Sequence, residues 1–76
     1  MEWLNMNFNL FDVVIVNENI VDKNLKQGNI GTIVEVLAPD AFIVEFVDRK
    51  GEVYAESTLR ASQLVKVLYE SAVLSA

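Results

Sequence analysis

The amino-acid sequence predicts a single all-β domain, a small barrel of five short strands. Three observations lead to this prediction. Apolar and polar residues alternate with a period of two in several short runs, turn-forming residues separate these runs, and no run with helical spacing is long enough to form a stable helix alone. The 76 residues fit one domain and leave no room for a second.

The clearest element is a hairpin over residues 28–47. Its two halves alternate on either side of a turn at residues 38–40, which is the pattern of antiparallel pairing. Gly28 and Gly31 stand at the entry to the hairpin. We expect one glycine to provide a positive φ in a turn and the other to allow a bulge or a close backbone approach. A hairpin alone is marginal in water, so flanking strands must complete the sheet.

The segments around the hairpin predict the other strands. Residues 11–16 form the first strand, since this β-branched run is too short for a helix and too apolar for a loop. A long loop follows, and Ile20, Val21 and Leu25 are expected to pin it to the body of the domain. This loop covers residues 17–28. The remaining elements are a turn at 48–51, a fourth strand at 52–58, a 3₁₀ turn at 59–63 and a fifth strand at 64–67.

The barrel is expected to span residues 10–67, so the two ends of the chain lie outside it. Residues 1–9 are expected to form an extended lead-in or an edge strand, in which Trp3 is either a loosely packed terminal aromatic or an interface anchor. Residues 68–76 have apolar side chains at helical spacing but are too few for a stable isolated helix. We therefore expect this tail either to dock or to fray.

Charge and composition narrow the class of function. Eleven acidic and six basic residues give a net charge of −5, and the basic residues are not gathered into a stripe, which argues against nucleic-acid binding. No apolar run reaches the ~18–20 residues that a membrane-spanning helix needs. The first residues lack the basic region and cleavage motif of an export signal. We therefore expect a soluble cytoplasmic protein.

The chain has neither histidine nor cysteine, which removes the usual catalytic triads and thiol chemistry. A transition-metal site would have to consist of carboxylates alone. We therefore expect no enzyme activity, no cofactor and no metal. The apolar fraction of 53% is high for so small a domain, which suggests that some apolar area is buried against a partner or a second copy in a homodimer.

The candidate contact residues lie on the predicted strands and in the long loop. Glu35 and Glu45 occupy outward positions on neighbouring strands, and Glu56 on the fourth strand can join them. These carboxylates form either a solvated strand face or an acidic docking surface for a basic partner. Tyr54, on the opposite side of its strand from Val53, is a candidate surface aromatic. The full set of candidate partner-binding residues is Glu35, Glu45, Glu56, Tyr54, Lys23 and Leu25.

The order of elements resembles the SH3-like barrel. The runs that carry the resemblance are FDVVIV, KQGNIGTIVEV, FIVEFVDRKGEVYAES and TLRASQLVKV. Over about residues 10–67 the chain also resembles a family of short bacterial proteins known as a domain of unknown function, through the motifs D-V-V, G-x-x-G-T-I-V-E-V, V-E-F-x-D, T-L and Q-L. This resemblance implies no assigned activity and no catalytic residue.

The run GNIGTIVEV is similar, more loosely, to KOW-type modules and to small SH3-like subunits that help dock ferredoxin. Both would be expected to present basic surfaces, whereas this chain is acidic, so neither function is carried over. The loop also lacks the aromatic cluster of a polyproline-binding groove. We therefore expect a non-catalytic protein-interaction module, with an antitoxin or immunity-type neutraliser of a basic partner as the alternative.

Overall fold

The structure, a computed structural model, describes residues 8–67 of the chain. Two 3₁₀ turns, at Val21–Lys23 and Ala61–Gln63, accompany the strands, and this part of the chain contains no α-helix. The five strands are β1 (Val13–Val16), β2 (Ile30–Ala38), β3 (Ala41–Val47), β4 (Val53–Arg60) and β5 (Leu64–Lys66).

All five strands belong to one antiparallel sheet in the order β4-β3-β2-β1-β5. The prediction of an all-β domain with five strands is therefore confirmed. The edge strands β4 and β5 do not pair with each other, so hydrogen bonds do not close the sheet into a barrel.

One side of the sheet carries the hydrophobic core. On β3, Phe42, Val44 and Phe46 are at most 1% exposed, and Ile33 and Leu59 face them from the neighbouring strands with similar burial. The ring of Phe8 packs against Phe42, with the ring centroids 5.4 Å apart. The buried residues of the core are Val14, Val16, Ile20, Leu25, Ile33, Phe42, Val44, Phe46, Leu59 and Leu64.

The central hairpin forms as predicted, with Pro39 and Asp40 between β2 and β3. The two glycines at its entry have the two expected roles. Gly28 has a φ of 98° in the turn before β2, and its N–H donates to the carbonyl of Val16 at 2.8 Å. At Gly31, a Cβ would lie only 2.6 Å from Val44 Cγ1, so the backbone there approaches the core too closely for any side chain.

The start of the first strand was predicted wrongly. Strand β1 begins at Val13, and Phe11 instead lies in a turn with a φ of 70°. The turn is closed by the N–H of Asp12, which donates to the Asn9 carbonyl at 3.0 Å, and by the Asn9 N–H, which donates to Asp12 Oδ2 at 2.7 Å. Asn and Asp favour such local bonds over a strand ladder, and this preference outweighs the apolar pattern.

The second half of the chain follows the predicted order with shifted boundaries. Strand β4 continues two residues beyond the predicted end, so the 3₁₀ turn begins only at Ala61. The N–H of Arg60 donates to Gln63 Oε1 at 2.9 Å and caps this turn. Strand β5 ends at Lys66, one residue early. The predictions for residues 1–7, including Trp3, and for residues 68–76 lie outside the described part of the chain.

Candidate functional site

A β-bulge determines where the side chain of Glu35 lies. Ile33 pairs with Val44 and Glu35 pairs with Ile43, so β2 has one residue more than β3 between these pairs, and that residue is Val34. Strict alternation would place Ile33 and Glu35 on the same side of the sheet. Because of the bulge, Ile33 is fully buried while Glu35 is exposed on the outward side.

Three carboxylates share the outward side of β2, β3 and β4. Glu45 pairs directly with Glu56, and Glu35 pairs with Ile43, the next outward residue of β3. Glu35 and Glu56 are exposed and Glu45 is half-buried. We call Glu35, Glu45 and Glu56 together the acidic face.

The like charges of the acidic face form no salt bridge with any cation among the described residues. Among residues 8–67 none of the three carboxylates takes part in a salt bridge, whereas Asp12 pairs with Lys66 at 3.1 Å. Like charges directly opposite on neighbouring strands destabilise a sheet, by ~0.2–1 kcal/mol per pair. The Glu45–Glu56 pair therefore places two like charges opposite each other at a cost to folding.

Ile43 lies within the acidic face, although no sequence motif singles it out. It is half-buried, and it pairs with Glu35 on β2 and with Thr58 on β4. A partner that covers the carboxylates would therefore also meet an apolar side chain. The alternation of β3 already puts Ile43 on the same side as Glu45, and the strand register adds that it lies between Glu35 and Thr58.

Tyr54 lies at a second bulge and does not join the acidic face. Phe46 pairs with Ala55 and Val47 pairs with Val53, which leaves Tyr54 as the extra residue of β4. Its ring lies 6.3 Å from the ring of the buried Phe46, and the residue is 51% exposed. The alternation of β4 predicts Tyr54 beside Glu56, and the bulge breaks that alternation.

The long loop places its two candidate residues in different environments. Leu25 is 2% exposed and bridges to Ile20, so it supports the loop from the core. Lys23 is exposed at the end of the first 3₁₀ turn. Val21, which was expected to help pin the loop, is instead 87% exposed.

The same loop encloses an open cavity of about 300 Å³, which was not expected from the sequence. The amide groups around it are used to hold the loop: Asn19 Oδ1 accepts the N–H of Gln27, and Asn29 Oδ1 accepts the N–H of Lys26, each at 2.9 Å. The residues that line the cavity are Asn19, Val21, Asn24, Leu25 and Lys26.

Among residues 8–67, no group of three acidic side chains is arranged to hold a metal ion. No helix in the same residues has the length and apolar character to cross a membrane.

One of the comparisons with known proteins finds a relationship. No curated protein matches the chain, and no solved structure matches it. The model of one family, described as Domain of unknown function (DUF4926), matches residues 10–66, which include all five strands. The chain therefore belongs to the DUF4926 family.

Proposed function

We propose that this protein is a non-catalytic module that binds a basic protein partner through the acidic face. The observation that carries this proposal is the direct pairing of Glu45 with Glu56. A sheet that keeps two carboxylates opposite each other loses folding stability. A partner that presents Lys or Arg at this position would turn the repulsion into attraction and accelerate association.

The architecture proposed for the module is SH3-like. Support comes from the strand order β4-β3-β2-β1-β5, the long loop after β1 and the 3₁₀ turn that leads into a short β5. The absence of histidine and cysteine from the sequence supports a binding role rather than a catalytic one.

The proposal is tested by purifying the tagged protein from its own host at low and high salt and identifying the co-eluting proteins by mass spectrometry. We expect one stoichiometric basic protein that is lost at high salt, because salt screens exposed charges. The triple variant Glu35→Gln, Glu45→Gln and Glu56→Gln should lose this partner at low salt as well, with an association rate lower by about tenfold or more.

A matched control separates the acidic face from net charge. The variant Asp22→Asn, Asp40→Asn and Glu52→Gln removes the same number of negative charges from exposed residues in loops and turns. It should retain the partner. Equal loss of the partner in both triple variants would show that net charge alone matters, and the acidic face would then have no specific role.

A narrower alternative is an antitoxin or immunity-type neutraliser of one basic protein. The net charge of −5 favours it, because it suits the blocking of a basic surface. If the protein is a neutraliser, it should have a single tight partner whose activity it blocks. That activity should return when the glutamine triple variant replaces the parent protein. A general interaction module predicts that the partner keeps its activity in the complex.

A further inference from the structure

A row of five β-branched residues, four of them exposed, crosses the whole sheet on its outward side. Each strand contributes one residue: the register pairs Val65 with Ile15, Ile15 with Ile30, and Val47 with Val53. Gly31 pairs with Phe46 in antiparallel register, so the residue before Gly31, Ile30, lies opposite the residue after Phe46, Val47. This contact joins the two halves of the row. We call Val53, Val47, Ile30, Ile15 and Val65 the apolar row.

Most of the apolar row is open to solvent. Ile30 is 57% exposed, Val53 54%, Val65 50% and Val47 47%, and Ile15, between Ile30 and Val65, is half-buried. Single exposed apolar residues are common on proteins, but contiguous apolar patches larger than a few hundred Å² mark interaction sites. This row is contiguous because every member is the cross-strand neighbour of the next.

The apolar row and the acidic face are adjacent. Val47 and Glu45 are two residues apart on β3 and point to the same side, which separates them by ~7 Å along the strand. Glu56 lies directly opposite Glu45. A ligand that covers the row therefore meets two carboxylates along one flank, at the end formed by β3 and β4.

We propose that the apolar row and the Glu45–Glu56 pair form one binding surface for a basic amphipathic helix of the partner protein. This inference rests on the proposed function, since it names the kind of segment that the acidic face recognises. The row crosses five strands and is ~19 Å long, which matches a helix of about 13 residues. Apolar side chains on one stripe of that helix cover the row, and Lys or Arg beside the stripe lie against the carboxylates.

Charge complementarity favours such a partner over a second copy of this chain. A second copy would bring its own net charge of −5 to the same interface, where like charges repel. A basic helix satisfies both parts of the surface at once.

The first test measures the fluorescence anisotropy of three labelled peptides of about 14 residues, ~21 Å long as helices, against the full chain. The first peptide contains Leu and Lys segregated on opposite sides of a helix, the second has the same composition in scrambled order, and the third replaces Lys with Glu. We expect the first peptide to bind at low salt, the scrambled peptide to bind at least about tenfold more weakly, and the acidic peptide not to bind.

Variants of the chain then locate the binding surface. Ile30→Asn should weaken binding of the amphipathic basic peptide by at least about tenfold, which is the scale of a lost apolar anchor. Val21→Asn is the matched control, because Val21 is 87% exposed in the long loop and outside the row. Circular dichroism checks that both variants fold. If Ile30→Asn is unfolded, Val53→Asn at the edge strand takes its place.

The outcomes distinguish this inference from the proposed function. Equal affinity of Ile30→Asn and Val21→Asn for the peptide would overturn the inference, as would equal affinity of the amphipathic and scrambled peptides. The proposed function would still stand if the glutamine triple variant lost the basic partner from the host. If no basic partner depends on the glutamates, both fail.

A photo-crosslinking residue at position 30 identifies what covers the row in the full chain. A crosslink to the amphipathic peptide supports the inference. A crosslink between two copies, with a dimer in sedimentation equilibrium, would overturn it in favour of self-association. A crosslink within one chain to residues 1–7 or 68–76 would overturn it in favour of a terminal segment of the chain itself.

Discussion

The two sides of β3 consist of alternating residues of one strand, yet they contribute differently to the protein. On the inward side, Phe42 and Phe46 are at most 1% exposed within a continuous core. On the outward side, Glu45 is half-buried beside another carboxylate and Val47 is 47% exposed. Folding free energy is thus concentrated on the inward side, which leaves the outward side able to carry groups that folding alone would disfavour.

The largest expected effect comes from the inward side. Phe46→Ala should lower the free energy of unfolding by ~3–5 kcal/mol, because the ring is fully buried and its removal leaves a cavity. A domain of this size rarely gains more than ~3–5 kcal/mol from its core, so the variant should be largely unfolded at 25 °C. Urea denaturation followed by circular dichroism measures the loss.

Val47→Ala, one residue further along β3, is the control for that experiment. Its side chain is on the outward side, so its loss should be within the ~1 kcal/mol range of strand propensity. Losses of similar size at positions 46 and 47 would contradict the contrast between the two sides of β3.

Gly31→Ala should have the next largest effect, a loss of ~1–3 kcal/mol, because it overpacks the same core. The new Cβ would lie 2.6 Å from Val44 Cγ1 and 2.8 Å from Phe46 Cδ1, and both side chains are fully buried. Thermal and urea denaturation of the single variant measure this loss.

The steric cause is tested by combining Gly31→Ala with Val44→Ala, which removes the nearest atom. The loss of stability in the double variant should be smaller than the sum of the two single losses by ~0.5–3 kcal/mol, as expected for residues that occupy the same space. Strictly additive losses would show that Gly31 is required for a reason other than the approach to Val44.

The inward side could be predicted from the sequence because burial follows the period of the strand. The alternation of Phe42, Val44 and Phe46 with their neighbours is enough to identify the core, and the turn at Pro39 and Asp40 fixes the hairpin. The turn before β1 carried a signal that the prediction missed, since Asn9 and Asp12 flank the residue with a positive φ.

The outward side depends on features that alternation does not record. The bulge residues Val34 and Tyr54 are both good strand formers, so nothing in their identity marks an extra residue. Without the bulge at Val34, Glu35 would share a side with Ile33. The apolar row likewise exists only once the register joins five strands that are distant in the sequence, from Ile15 to Val65.

The smallest expected effect is a gain in stability from the outward side. Glu56→Gln should raise the free energy of unfolding by ~0.2–1 kcal/mol, because it removes the repulsion with Glu45 across the β3–β4 pair. For a domain of this size the melting temperature should rise by about 1–8 °C. The gain should shrink as salt is added, since screening weakens the same repulsion in the parent protein.

Glu45→Gln provides the internal control, since it should give a similar gain, and adding Glu56→Gln to it should then give little more. A loss of stability in either single variant would show that the two carboxylates do not repel each other in the folded state. If the same substitution stabilises the sheet and also weakens the salt-sensitive partner complex, the repulsion is a folding cost retained for binding. That combined result would link the unfavourable pair on the outward side of β3 to the function proposed for it.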